Sequence, residues 1–123
     1  MKPVPDAAPT VAALAALEVR AGATKLAPDT VVAALAALPG WSADDGALRK
    51  AYRFPDWSRT MAFVNAVADM ADRVDHHPEF GVGWGRCTVA WWTHDAGGIT
   101  QNDLACAART EALAGAGTAE PPA

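Results

Sequence analysis

Between Pro55 and Pro78 the side chains Phe63, Val67, Met70 and Val74 recur at steps of four, three and four, the repeat of one helix face. Asp56 precedes that run as a suitable N-cap, and the residue before Pro78 is steered away from helical backbone, so the helix ends near residues 75–77. An earlier helix opens at Pro28-Asp29, places Val31, Leu35 and Leu38 on one face, and stops at Pro39-Gly40. Between the two helices the period changes. Leu48, Tyr52 and Phe54 alternate onto one face and pair with Trp41-Ser42-Ala43 across Asp44-Asp45-Gly46, the pattern of a hairpin. Lys50 falls on that same apolar face and breaks its uniformity. Two further strands fit residues 80–84 and 86–93 around Gly85, and Thr100-Gln101-Asn102-Asp103 starts a last helix that buries Leu104, Ala108 and Leu113. The order helix, strand, strand, helix, strand, strand, helix predicts an α+β domain: a four-stranded antiparallel sheet with helices packed on one face.

Composition adjusts this picture in one respect. The hydrophobic fraction of 51% overstates the core, because 30 of the 123 residues are alanine; Leu, Val, Phe and five Trp must build the interior. Alanine also accounts for the heptapeptide Val-Ala-Ala-Leu-Ala-Ala-Leu at 11–17 and again at 32–38, which reads as helical filler. Residues 1–9 and 115–123, rich in Pro, Ala and Gly, read as disordered tails. A net charge of -4 argues against a surface that tracks phosphates, so no nucleic acid is expected as a partner. Cys87 and Cys106 read as buried thiols in a reducing compartment. No apolar run reaches the roughly 20 residues that span a bilayer, and the early Pro3, Pro5 and Asp6 do not suit a signal peptide. A cytoplasmic protein without membrane contact is expected.

The chemistry concentrates in two segments. Asp72-Arg73-Val74-Asp75-His76-His77-Pro78-Glu79-Phe80 and Trp92-Thr93-His94-Asp95-Ala96-Gly97-Gly98 hold all three histidines, and Asp103 follows nine residues after His94. Histidine titrates nearest neutrality, and both segments lie at rims of the sheet, where sites are built on a rigid scaffold. Asp72 lies one turn before His76 and on the same helix face, in place to orient an imidazole. Trp84, Trp91 and Trp92 offer flat surfaces to a planar ring, although adjacent Trp91 and Trp92 must point to opposite sides of their strand. Blander readings exist for each group: a polar helix C-terminus for Asp75-His76-His77, and a capping-box carboxylate for Asp103 serving Thr100. The spacings of familiar zinc sites are absent, so no metal is expected.

Taken together, Asp72-x-x-x-His76-His77-Pro78-Glu79-Phe80, Trp84, Thr93-His94-Asp95-x-Gly97-Gly98-Ile99-Thr100 and Asp103 resemble the pterin-4a-carbinolamine dehydratases. The 18-residue step from His76 to His94 and the nine-residue step to Asp103 fit that family, and the likeness covers roughly residues 26–114, leaving 1–25 as an extension, partly disordered or a short helix. The resemblance implies the same α+β fold, assembled as a homodimer or homotetramer. It also implies dehydration of 4a-hydroxytetrahydropterins, the spent cofactor of aromatic amino acid hydroxylases, with no cofactor of the chain's own. It implies catalytic roles for His76, His77, His94 and Asp103, and substrate contacts from Asp72, Asp75, Pro78, Thr93, Asp95 and Ala96. Asp72 is one methylene shorter than the glutamate of animal members, and Trp92 replaces a small hydroxyl residue. The alternatives are a non-catalytic pterin-binding or protein-interaction module on the same fold, and a role in another pterin pathway such as molybdopterin metabolism.

Overall fold

The computed structural model describes residues 9–114, so the two expected tails lie outside it except for Pro9. Its elements are α1 (Val11–Ala15), α2 (Pro28–Leu35), β1 (Ser42–Asp44), β2 (Ala47–Arg53), α3 (Trp57–Val74), β3 (Glu79–Gly83), β4 (Arg86–Trp91), one 3-10 turn (His94–Ala96) and α4 (Gln101–Ala114). The strands form one antiparallel sheet in the order β1-β2-β4-β3. Asp45 and Gly46 both take positive φ, 54° and 77°, which gives the β1–β2 hairpin a two-residue turn whose twist suits the strands.

Register decides what faces inward. Leu48 pairs with Trp91 and Tyr52 with Cys87, and all four are buried against α3 and α4. Phe63 of α3 meets Tyr52 at 4.8 Å and Phe54 at 5.1 Å between ring centroids, so aromatic packing joins helix to sheet. Asp56 caps α3 by accepting the Arg59 amide at 2.8 Å, as its position after Pro55 predicts. The other face of the sheet presents Ala51, Thr88 and Gly81; a Cβ at Gly81 would stand 2.5 Å from Thr88 Oγ1.

Lys50, the charge on the apolar face, is accommodated by a partner from α4. Its Nζ donates to Glu111 Oε1 at 2.7 Å and to the Pro39 carbonyl at 2.7 Å. Trp41 Nε1 and the Tyr52 hydroxyl donate to the same carboxylate oxygen. Burial pushes the Glu111 carboxyl up, but the hydrogen bonds from Lys50, Tyr52 and Trp41 outweigh it and hold the group below its usual range. Burial, then Glu111, pushes the Tyr52 hydroxyl far up. Both cysteines are buried free thiols, pushed up by burial to about 11 for Cys87 and about 12 for Cys106.

One expectation about α4 needs correction. The sequence suggests a single apolar stripe through Leu104, Ala108 and Leu113, yet residues 102–108 are buried on every side, and Leu113 only partly. The cause is the segment before α2. Helix α1 packs on the flank of α4 away from the sheet and adds Leu14 to the core, so α4 is covered from both directions. No helix among the described residues is long and apolar enough to cross a membrane.

Candidate active site

The end of α3 places the first histidine. Asp75 adopts left-handed backbone, φ 54° and ψ 44°, and the His76 amide donates back to the Ala71 carbonyl at 3.1 Å. This Schellman-type turn ends the helix at Val74, ahead of the point where Pro78 would end it. It also breaks the helical register. His76 therefore leaves the face of Asp72, and the expected Asp72–His76 pairing does not form. Asp72 instead faces His77, Oδ1 to Nε2 3.4 Å, with both side chains largely exposed.

His76 turns inward. Its Nε2 lies 2.6 Å from Oδ1 of Asp103, a residue with no solvent exposure. Oδ2 of the same carboxylate accepts the Thr100 amide at 2.8 Å and the Thr93 hydroxyl at 2.8 Å, while the Asn102 amide donates to Thr100 Oγ1. Asp103 is thus both the capping-box residue of α4 and the partner of His76, and the two readings of it are compatible. A carboxylate only accepts, which assigns the shared proton to Nε2. The imidazole stacks on Trp91 at 5.6 Å between centroids, 21° from parallel. Trp91 is itself locked by its Nε1–H to Thr110 Oγ1 at 3.1 Å.

The second rim is a short loop after β4. Thr93 and Gly98 bond to each other through both backbone groups, 2.9 and 3.3 Å, and the loop between them makes the 3-10 turn that carries exposed His94. A cleft of about 290 Å³ runs between the two rims, lined by His76, His77 and His94 with Asp75, Trp92, Thr93 and Asp95. Sequence reasoning separated these residues by up to 20 positions, and the fold gathers them around one cleft. Ala96 lines an adjoining cleft of about 600 Å³, which shares Asp75, His76, Thr93 and Asp95 with the first. Asp72 and Pro78 line neither. Of the tryptophans, Trp92 lines the smaller cleft and Trp91 backs His76, whereas Trp84 is 66% exposed at the β3–β4 turn. Sequence reasoning missed the far wall of the larger cleft, residues 19–25 with Asn102, because that segment has no periodicity to read. Among the described residues no three His, Cys, Asp or Glu side chains come together as a metal set.

Comparison with known proteins settles the family. The family model described as "Pterin 4 alpha carbinolamine dehydratase" matches residues 24–113. The chain belongs to that family. A dehydratase-family relative from Chromobacterium violaceum, named "Putative pterin-4-alpha-carbinolamine dehydratase", is 51% identical over 92 residues, covering 75% of this chain and 85% of its own. A relative of the same name from Stenotrophomonas maltophilia is 47% identical over 91 residues, 72% of this chain and 78% of its own. Among solved structures, the transcriptional coactivator/pterin dehydratase of Brucella melitensis superposes with a TM-score of 0.72 at 32% identity, covering 74% of this chain and 99% of that one. A pterin dehydratase-like RuBisCO assembly factor of the alpha-carboxysome superposes at 0.52 with 26% identity, over 61% and 87% of the two chains. The family's fold is the α+β architecture described above.

Proposed function

We propose that this chain is a hydro-lyase that converts 4a-hydroxytetrahydropterins to quinonoid dihydropterin and water by histidine acid–base catalysis. The observation that carries the proposal is the cleft in which His76, backed by Asp103, faces the loop of His94. The reaction breaks the C4a–O bond, with a proton delivered to the departing hydroxyl so that it leaves as water. The proton on N5 goes to a base as the N5=C4a double bond forms, and no electrons are exchanged with another reactant. Two imidazoles supply acid and base, each contributing a factor of roughly 10² to 10⁴. With its Nε2 proton held by Asp103, His76 offers the Nδ1 lone pair as base, and His94 serves as acid. His77, exposed and braced by Asp72, orients the ring. Asp75, Thr93, Asp95 and Ala96 supply the polar and backbone wall, and the scheme requires no metal or cofactor. Such a chain would act in the cytoplasm as a homodimer or homotetramer, downstream of an aromatic amino acid hydroxylase that releases the carbinolamine.

The deciding experiment is stopped-flow dehydration of synthetic 4a-hydroxytetrahydrobiopterin by the purified chain in EDTA. Acceleration over the buffer rate is expected. Activity lost in chelator and restored by zinc would reject the metal-free scheme. A rate equal to buffer in both conditions would favour a non-catalytic role of the kind named for the RuBisCO assembly factor, which shares the fold.

A further inference from the structure

The larger cleft carries a second assignment, which rests on the dehydratase reading. Residues 16–26 form no helix or strand, yet their backbone is pinned to α4 by side chains. Arg109 donates to the carbonyls of Ala15 and Leu17 at 2.9 and 3.0 Å, and Gln101 donates to that of Glu18 at 2.7 Å. Asn102 holds Arg20 from both sides, accepting its amide at 3.0 Å and donating to its carbonyl at 2.7 Å. Farther along, the Leu26 amide donates to the Ile99 carbonyl at 2.8 Å. Asn102 is 5% exposed and adjoins Asp103, so the helical turn that holds His76 also holds this strap.

Residues 19–25 of the strap form one wall of the 600 Å³ cleft, opposite Asp75, His76, Thr93 and Asp95. Those four also line the smaller, three-histidine cleft, so a bicyclic ring seated there borders the larger space directly. The strap contributes Arg20 and Lys25, and the facing wall contributes two carboxylates. The Arg20 guanidinium is only loosely engaged, 3.7 Å from a still more exposed Glu18. Donors on one wall and acceptors on the other suit a hydroxylated chain and leave an alkyl group without partners.

We propose that the strap 19–25 is the specificity wall for the C6 substituent of the pterin: it selects a polyhydroxyalkyl chain through Arg20 and Lys25, and Asn102 is its positioning residue.

The test compares 4a-carbinolamines bearing a dihydroxypropyl or a methyl group at C6, in the full chain and in Arg20→Ala/Lys25→Ala and Asn102→Ala. The kcat/KM preference for the dihydroxypropyl substrate should fall about tenfold in each variant, mainly through KM. An unchanged preference in Arg20→Ala/Lys25→Ala overturns the assignment. Both of its positions are exposed, so this variant decides the matter even if Asn102→Ala does not fold. Fluorescence titration with biopterin and 6-methylpterin separates this inference from the activity. A wild-type preference for biopterin that the double variant loses upholds the strap even if neither carbinolamine is turned over, whereas equal wild-type binding of the two rejects it.

Discussion

His76 and Asp103 share a 2.6 Å hydrogen bond that ties the end of α3 to the first turn of α4. The second Asp103 oxygen caps that same turn through the Thr100 amide, so a helix start and a candidate catalytic imidazole depend on one carboxylate. Asp103→Asn keeps the shape of the cap but can turn its amide toward Nε2 and move the ring proton to Nδ1. Stopped-flow assay should show kcat reduced by about a hundredfold or more with the thermal midpoint little altered, as expected when the wrong tautomer is fixed. A variant with full kcat would remove Asp103 from the scheme.

Division of labour among the histidines is testable in the same assay. His76→Ala and His94→Ala should each lower kcat by roughly 10² to 10⁴, and the double variant should approach the uncatalysed rate. His77→Ala should mainly raise KM, because binding shared by ground and transition states leaves kcat nearly alone. If His77→Ala were the only variant with a large kcat loss, the roles would have to be exchanged.

The left-handed turn at Asp75 predicts an asymmetry in stability. Asp75→Gly should be neutral or stabilising by up to about 1 kcal/mol, since glycine adopts φ 54° without a Cβ penalty. Asp75→Val should cost about 1–2 kcal/mol at the same position. Urea denaturation monitored by circular dichroism measures both, and equal midpoints for the two variants would contradict the argument.

Glu111 predicts a pH dependence of unfolding. Burial raises its carboxyl and the bonds from Lys50, Tyr52 and Trp41 more than reverse that, leaving it lower in the folded chain than its usual 4.5. A group lowered by folding stabilises the native state above its unfolded pKa and loses that contribution as pH falls through the folded value. The melting temperature should therefore decline as pH drops below about 4.5, and Glu111→Gln should flatten that decline while melting lower at pH 7. Scanning calorimetry from pH 7 to pH 3 makes the comparison.

Assembly is the last expectation. The outer edge of β3 is unpaired among the described residues, and Val82 on it is 42% exposed. An open edge invites pairing with another copy, so light scattering at micromolar concentration should report a dimer or tetramer, and Val82→Lys should shift it toward monomer. A monomeric wild type would contradict this.

The sequence by itself determined three of the helices, the four strands and the gathering of histidines at two rims. Phe63, Val67 and Met70 recur at helical spacing, Tyr52 and Phe54 alternate, and Asp44-Asp45-Gly46 marks a turn; these are local preferences that act over a few residues. Even Asp103 as a cap was legible, since Thr100 lies three positions away. Tertiary structure decided the rest, because those outcomes depend on residues far apart in the chain. That His76 pairs with Asp103 and not with Asp72 follows from Asp75 taking left-handed backbone and from α3 ending against α4. That Lys50 can sit on the apolar face follows from Glu111, 61 residues later, meeting its charge. That an irregular strap walls the larger cleft follows from Gln101, Asn102 and Arg109 bonding a backbone more than 80 residues away. Side-chain-to-backbone bonds of that kind leave no periodicity in a sequence, since the strap contributes its peptide groups to them and every residue carries those alike.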